Sequence, residues 1–297
     1  SKWYGNVIGI NNTSLQIGPG VTGLLGPNGA GKSTFLQLVT GQLKPSKGRV
    51  TVLNEVPWNN PWLMRQIGLC PEQDAFYEWM TGWQFIHAFA LMRGYSGSAA
   101  REAAQSAIDR VSMADAQNRV IGGDSRGMRQ RVKIGQALVH DPRVLFLDEP
   151  FTGTDPVARR QLMDIILKLA EEGKSIILSS HVLHEVQGLT QQIVLIHLGR
   201  LVAEGNLREI RELIDDHPHR IVLVSEQVRE LAAQLIKQED ILGMTVQDKQ
   251  QQLIAETSKP DLFYSRLPAL LRDSKLHVRE VYSEDDNLEA VFKYLTN

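Results

Sequence analysis

Short apolar runs alternate along the chain with longer stretches of helical periodicity. "VTGLL", residues 21–25, predicts a short buried strand. After a turn-rich interval, "KSTFLQLVT", residues 32–40, predicts a helix, with Gly41 as its C-terminal stop. "RVLFLDEP", residues 143–150, holds a four-residue apolar run closed by two acids, the pattern of a central parallel strand buried on both faces. "KSIILSSH", residues 174–181, predicts a second such strand, ending in His181. In "GGDSRGMRQRVKIGQALVH", residues 122–140, a Gly/Ser turn precedes Val132, Ile134, Ala137, Leu138 and Val139 at near-helical spacing. "WQFIHAFALMRG", residues 83–94, is apolar on most of its faces and predicts core packing within a small helical layer. These elements predict an α/β fold around a doubly wound parallel sheet, whose strand carboxyl ends share one ligand-binding edge.

The texture changes after residue 214. "DDHPH", residues 215–219, reads as a polar, Pro-bearing linker. Beyond it the pattern predicts strand 220–225, helix 226–238, strands 242–248 and 251–257, helix 260–273, strand 276–282 and helix 285–296. A βαββαβ order with a final helix predicts a small ferredoxin-like α+β domain. The domain expectation is therefore 1–215 and 216–297. The second part shows no metal cluster, phosphate loop or nucleophile arrangement.

Composition narrows the class. The 297 residues suffice for about two domains at ~150 residues each. With 32 basic and 34 acidic residues the net charge is −2, so bulk charge gives no argument for nucleic acid or a membrane surface as partner. The one cysteine, Cys70, rules out an internal disulfide and points to a reducing, cytosolic setting. No apolar run approaches the ~20 residues of a membrane helix, and no cleavable targeting segment is visible.

Between the first strand and helix lies Gly26-Pro27-Asn28-Gly29-Ala30-Gly31-Lys32-Ser33, the G-x-x-x-x-G-K-[ST] pattern in strand–loop–helix context. Glycines let several N–H groups point inward, and a helix N-terminus completes an anion site. Lys32 would reach the β- and γ-phosphates, and Ser33 would ligate Mg²⁺. Asp148, at the end of its strand, could hold the same ion, while Glu149 could orient or deprotonate an attacking water. His181 ends a strand at the same edge and would face the same nucleotide. Ser125 and the N–H of Gly127 form a second anion-binding helix start. One nucleotide does not need both in one subunit, whereas a head-to-tail dimer would use both. An ordinary capped helix with a basic face (Arg126, Arg129, Arg131, Lys133) is the plainer alternative for that segment.

Taken together, these motifs resemble the nucleotide-binding subunit of an ATP-binding-cassette transporter, over residues 1 to about 215. Tyr4 in "KWYG" matches the aromatic that stacks on adenine, and residues 26–34, including Thr34, match the Walker A loop. Residues 124–131 match the signature region, 143–149 Walker B, and "GTDP", 153–156, the D-loop with its Asp155. His181 matches the switch histidine. The signature reads Asp124-Ser125-Arg126-Gly127-Met128 where the best-known form is L-S-G-G-Q, and this S-x-G-M form resembles subunits paired with ABC-2-like exporter permeases. An ungapped match puts Glu72 at the Q-loop glutamine, where a carboxylate could still meet Mg²⁺; Gln73 substitutes if the loop shifts by one. The family's usual strand before the "KWYG" aromatic is missing, which reads as a trimmed N-terminus.

The resemblance implies the P-loop NTPase fold of the family, with a helical subdomain over about 80–140. It implies ATP and Mg²⁺ as ligands, ATP hydrolysis by a head-to-tail dimer with a second cassette, and a polytopic membrane permease as partner. Phe76, Tyr77 and Trp79 are the expected contacts to that permease. The chain would then sit in the cytoplasm, peripheral on the cytoplasmic face of the cell membrane, with no nucleic acid bound. Related appendages suggest a regulatory or dimer-stabilising role for the second domain. Two rivals remain open: a soluble cassette ATPase acting on nucleic acid or ribosomes, and a P-loop kinase, which leaves the signature helix without a purpose.

Overall fold

The computed structural model of the chain describes residues 1–206, 210, 218–274 and 276–283. It divides into two compact units, Ser1–Asn206 and Leu207–Asn297. The first unit opens with a two-stranded hairpin, β1 (Lys2–Tyr4) and β2 (Val7–Ile10). Next come β3 (Val21–Leu25), α1 (Lys32–Val39), the single turn α2 (Pro61–Met64) and β4 (Ile67–Cys70). Helices α3 (Gly82–Met92), α4 (Gly97–Arg110) and α5 (Arg126–Leu138) form the helical layer. The remainder runs β5 (Val144–Leu147), α6 (Pro156–Glu171), β6 (Ser175–Ser180), α7 (Leu183–Gln187), β7 (Gln192–His197) and β8 (Arg200–Asn206).

The main sheet has the order β4-β5-β6-β3-β7-β8. All its pairings are parallel except β7 with β8, which is antiparallel. The sheet expected from the apolar runs thus ends in an antiparallel edge. That edge follows from the turn between β7 and β8, where Leu198 and Gly199 both take positive φ, the geometry of a tight hairpin. Register fixes the functional edge: Cys70 pairs with Leu147, Leu147 with Leu178, and Leu25 with Ser180. Pro71, Asp148, His181 and Gly26 therefore leave the sheet side by side. Phe35, Leu36 and Val39 of α1 pack with Leu24, Phe146, Ile177 and Val194 in one core cluster.

In the helical layer, α3 starts on a reciprocal cap. Thr81 Oγ1 accepts from the Gln84 N–H at 3.1 Å, and Gln84 Oε1 accepts from the Thr81 N–H at 2.9 Å. A Cβ on Gly135 of α5 would stand 2.7 Å from Ile86 Cδ1, so glycine there lets α5 close on α3. Phe85, Ile86 and Ala90 are buried while Leu91 and Met92 are exposed, so the core reading of 83–94 holds for one face of the helix.

The second unit runs β9 (His219–Val224), α8 (Val228–Leu235), β10 (Ile241–Gln247), β11 (Gln252–Thr257), α9 (Pro260–Ser274) and β12 (Glu280–Ser283). Its sheet is antiparallel throughout, ordered β10-β11-β9-β12. β11 inserts between β9 and β10, the split βαβ arrangement of the ferredoxin-like topology. Ile221, Leu223, Leu253 and Ala255 face Leu231, Leu235, Phe263 and Leu267 of the two helices. β12 begins at Glu280 rather than 276, because Leu276 packs into that core cluster ahead of the strand and the His277 carbonyl accepts from Ser225 Oγ at 2.6 Å. The helix expected at 285–296 and most of the linker at 215–219 lie outside the described residues.

Candidate functional site

The edge where β3, β5 and β6 end carries the first group of expected residues. Leaving β3, the chain turns through Gly29 and Gly31, whose φ values of 79° and 109° belong to the left-handed region that glycine adopts without strain. A Cβ on Gly26 would stand 2.3 Å from the Ile196 carbonyl oxygen, so the loop lies against β7 with no room for a side chain. Gly31 is the N-cap of α1, and no side chain caps this helix. Its first N–H groups, unlike those of α3, are free of side-chain acceptors, which suits an anionic ligand. Lys32 is buried at the head of α1, its Nζ donating to the Gly26 carbonyl at 2.7 Å and lying 3.2 Å from Glu149 Oε1. Ser33 is exposed on the first turn of α1.

One buried serine organises the two acids that follow β5. Ser179 Oγ donates to Asp148 Oδ1 at 2.6 Å and accepts from the Glu149 N–H at 2.8 Å. The Asp148 N–H donates to the Cys70 carbonyl at 2.9 Å, which ties the turn to β4 as well. Glu149 has φ of 48°, a left-handed backbone that costs a non-glycine residue roughly 1–2 kcal/mol. That turn sends the two carboxylates in different directions. Asp148 is half-buried, whereas Glu149 is buried with Oε2 accepting from His181 Nδ1 at 2.9 Å. A carboxylate only accepts, so the bond assigns the Nδ1 proton to the imidazole. Lys32, Glu149 and His181 thus converge from three elements, with Thr152 Oγ1 at 3.5 Å from the same carboxylate oxygen.

Tyr4 stands over the start of α1. Its hydroxyl is 3.5 Å from Thr34 Oγ1, and a Cβ on Gly9 would be 2.8 Å from Tyr4 Cε2. Tyr4 is 43% exposed, with Lys2 Nζ 5.5 Å from the centroid of its ring. Glu72 and Gln73 are exposed on the loop after β4. Among the described residues no group of three or more His, Cys, Asp or Glu could hold a metal. A carboxylate and a hydroxyl beside a phosphate loop nevertheless fit Mg²⁺, which takes its other oxygens from phosphates and water.

The second group is assembled by two helix starts. Ser125 caps α5, its Oγ accepting from the Met128 N–H at 3.3 Å, and stays exposed. Asp155 caps α6, accepting from the N–H groups of Val157 and Ala158 at 3.0 and 2.9 Å. Gly127 is buried, and a Cβ there would meet Ala158 Cβ at 2.4 Å. The two capped ends are therefore in contact with each other. Among the described residues no hydrogen bond or ion pair joins this group to Lys32, Asp148, Glu149 or His181. Sequence reasoning missed Ser179, whose only signal was a pair of serines closing an apolar strand. Lys133, which the plainer alternative for that segment put on a basic face, is 3% exposed.

A parallel sheet with a glycine loop, a buried lysine and two carboxylates at one edge defines a phosphate-loop nucleotide-binding protein. Residues 10–152 match the family described as "ABC transporter". The daunorubicin/doxorubicin resistance ATP-binding protein DrrA of Streptomyces peucetius is 32% identical over 298 residues, covering 99% of this chain and 90% of that protein. An uncharacterized ABC transporter ATP-binding protein of Nostoc sp. is 39% identical over 207 residues, 69% of this chain and 62% of the relative, so the match spans less than two thirds of that protein's length. Among solved structures, cbiO1 from Clostridium perfringens, described as part of the ABC transporter complex cbiONQ, superposes with a TM-score of 0.62 at 28% identity, covering 70% of this chain and 87% of that one. The chain belongs to the ATP-binding-cassette transporter family and carries that family's nucleotide-binding ATPase domain.

Proposed function

We propose that the chain is the ATP-hydrolysing subunit of an exporter, pairing head to tail with a second cassette around two Mg-ATP and driving a separate membrane permease. The observation that carries the reading is the Glu149 carboxylate, held between Lys32 Nζ at 3.2 Å and His181 Nδ1 at 2.9 Å at the mouth of the phosphate loop. Lys32 and the loop 26–34 bind the β- and γ-phosphates, and Tyr4 stacks on adenine. Ser33 and Asp148 would hold Mg²⁺, with Glu72 or Gln73 adding an oxygen; the ion would neutralise charge on the phosphate oxygens. Glu149 orients the attacking water and takes its proton, and His181 keeps that carboxylate aimed. Ser125 and Gly127, with Asp155 beside them, complete the site of the facing cassette.

For the partner, a groove of about 370 Å³ lies between the sheet edge and α3, lined by Leu69, Gln73, Phe76, Phe85, Phe89 and Arg93. Beside it Tyr77 and Trp79 are 62% and 73% exposed, the apolar surface of an interface. The permease's cytosolic segment would dock there. No helix among the described residues is long and apolar enough to cross a membrane, which suits a peripheral place on the cytoplasmic face. The exporter assignment draws on the S-x-G-M signature and on the resistance function in the name of the Streptomyces relative. Glu149→Gln is the decisive variant. It keeps the turn and shape but loses the base, so phosphate release falls by about 100-fold or more while ATP-dependent dimers accumulate in analytical ultracentrifugation. Undiminished phosphate release would remove Glu149 from its role.

A further inference from the structure

The loop that follows β4 is fastened along α5 by charge. Lys133 Nζ donates to the carbonyls of Pro71 and Glu72, both at 2.9 Å, and lies 3.0 Å from Asp74 Oδ1. Asp74 Oδ2 also faces Arg126 at 3.5 Å and Arg129 at 3.7 Å. Arg129 reaches Glu78 with two bonds of 3.0 and 2.9 Å. Just ahead of α5, the N–H groups of Ile121 and Gly122 donate to the carbonyls of Met80 and Glu78, each at 2.9 Å. Arg126, Arg129 and Lys133 recur at i, i+3 and i+7, one face of the helix, and that face is turned to residues 71–78.

Lys133 is the informative member. A buried ammonium needs acceptors, but they could come from any neighbouring element. Here every acceptor comes from residues 71–74, the segment bearing Glu72 and Gln73. The helix itself is already packed through Val132, Ile134, Gly135 and Leu138, all buried. The lysine therefore adds a fixed relation between the loop and the helix whose first turn carries Ser125. We propose that Lys133 and Asp74 are positioning residues. They clamp the loop bearing Glu72 and Gln73 to α5, so that loop and Ser125 move as one body and Ser125 meets the facing nucleotide only when the loop is seated. This inference rests on the head-to-tail reading above.

The test uses the full chain with Mg-ATP. Lys133→Met keeps the apolar stem and removes the charge, and Asp74→Asn removes the counter-charge at a partly exposed site. Calorimetry should give ATP affinity within about twofold of the parent for both, because the phosphate loop is untouched. Turnover at saturating ATP should fall by about 10- to 100-fold, the scale of misplacing a reacting group by ~1 Å. The double variant should be no slower than the slower single variant, since both break one clamp. Should Lys133→Met not fold, Asp74→Asn carries the same comparison alone. Parental turnover in both variants, or affinity and turnover falling in proportion, would overturn the clamp. Ser125→Ala separates the two readings. If it slows turnover and the clamp variants do not, only the clamp falls. If it leaves turnover unchanged, the head-to-tail reading falls and takes the clamp with it.

Discussion

Ser179 shows how one hydroxyl fixes two acids. It is fully buried, donates to Asp148 and accepts from the backbone of Glu149. Ser179→Ala leaves the Glu149 N–H buried without an acceptor, at a cost of about 1–3 kcal/mol, and frees the Asp148 carboxylate to rotate. The expected outcome is a lower melting temperature in calorimetry together with slower phosphate release; parental values for both would mean that the β4 contact alone holds the turn. The residues of the glycine loop, Lys32, Asp148, Glu149 and His181 were legible in the sequence, because their order and spacing within strand–loop–helix frames leave few other readings. Ser179 and Lys133 were not. Each acts through a partner that adjoins it only in the folded chain: Ser179 contacts Asp148 from the neighbouring strand, and Lys133 grips carbonyls some sixty positions earlier. Local pattern shows a polar residue at such a position but not what satisfies it.

Among elements, the strands were read best where they are buried on both faces. β3 and β5 appear within the apolar runs that announced them, and β6 within "KSIILSSH". The basic residues of α5, a single face in the plainer alternative for that segment, divide: Arg126, Arg129 and Lys133 turn to the loop after β4, while Arg131 donates to the Ser112 carbonyl at 3.2 Å. Two residues beyond the end of α5 lies a pH-sensitive group. His140 donates from Nε2 to the Ile67 carbonyl at 2.9 Å, and burial, helped by the Arg93 charge, lowers its pKa from 6.5 to about 4. Between those values the unfolded chain binds a proton that the folded one refuses, so stability falls as pH drops from 6.5 towards 4. The ring is partly exposed, and the expected loss is about 1–2 kcal/mol after allowance for solvent screening. His140→Gln should flatten that part of the denaturation midpoint against pH; an identical pH profile would place the sensitivity elsewhere.

On the scale of the whole molecule, the two units are separately organised. Every expected site residue lies within Ser1–Asn206, and Ile221, Leu253, Phe263 and their neighbours give the second unit a core of its own. A chain ending at Asn206 should therefore bind Mg-ATP within about threefold of the full chain by calorimetry, a difference under ~0.7 kcal/mol. A much larger loss would assign the second unit a part in shaping the site. The βαββαβ order of that unit was legible from alternating patterns, whereas its sheet order was not, because which strands pair depends on contacts far apart in sequence.

The contact between Gly127 and Ala158 brings together helices whose first turns are capped by Ser125 and Asp155. Because Gly127 has no side chain, the Ala158 methyl packs directly on its backbone and holds the two capped turns close together. On the head-to-tail reading, a facing nucleotide would meet them as one paired surface rather than as two separate points.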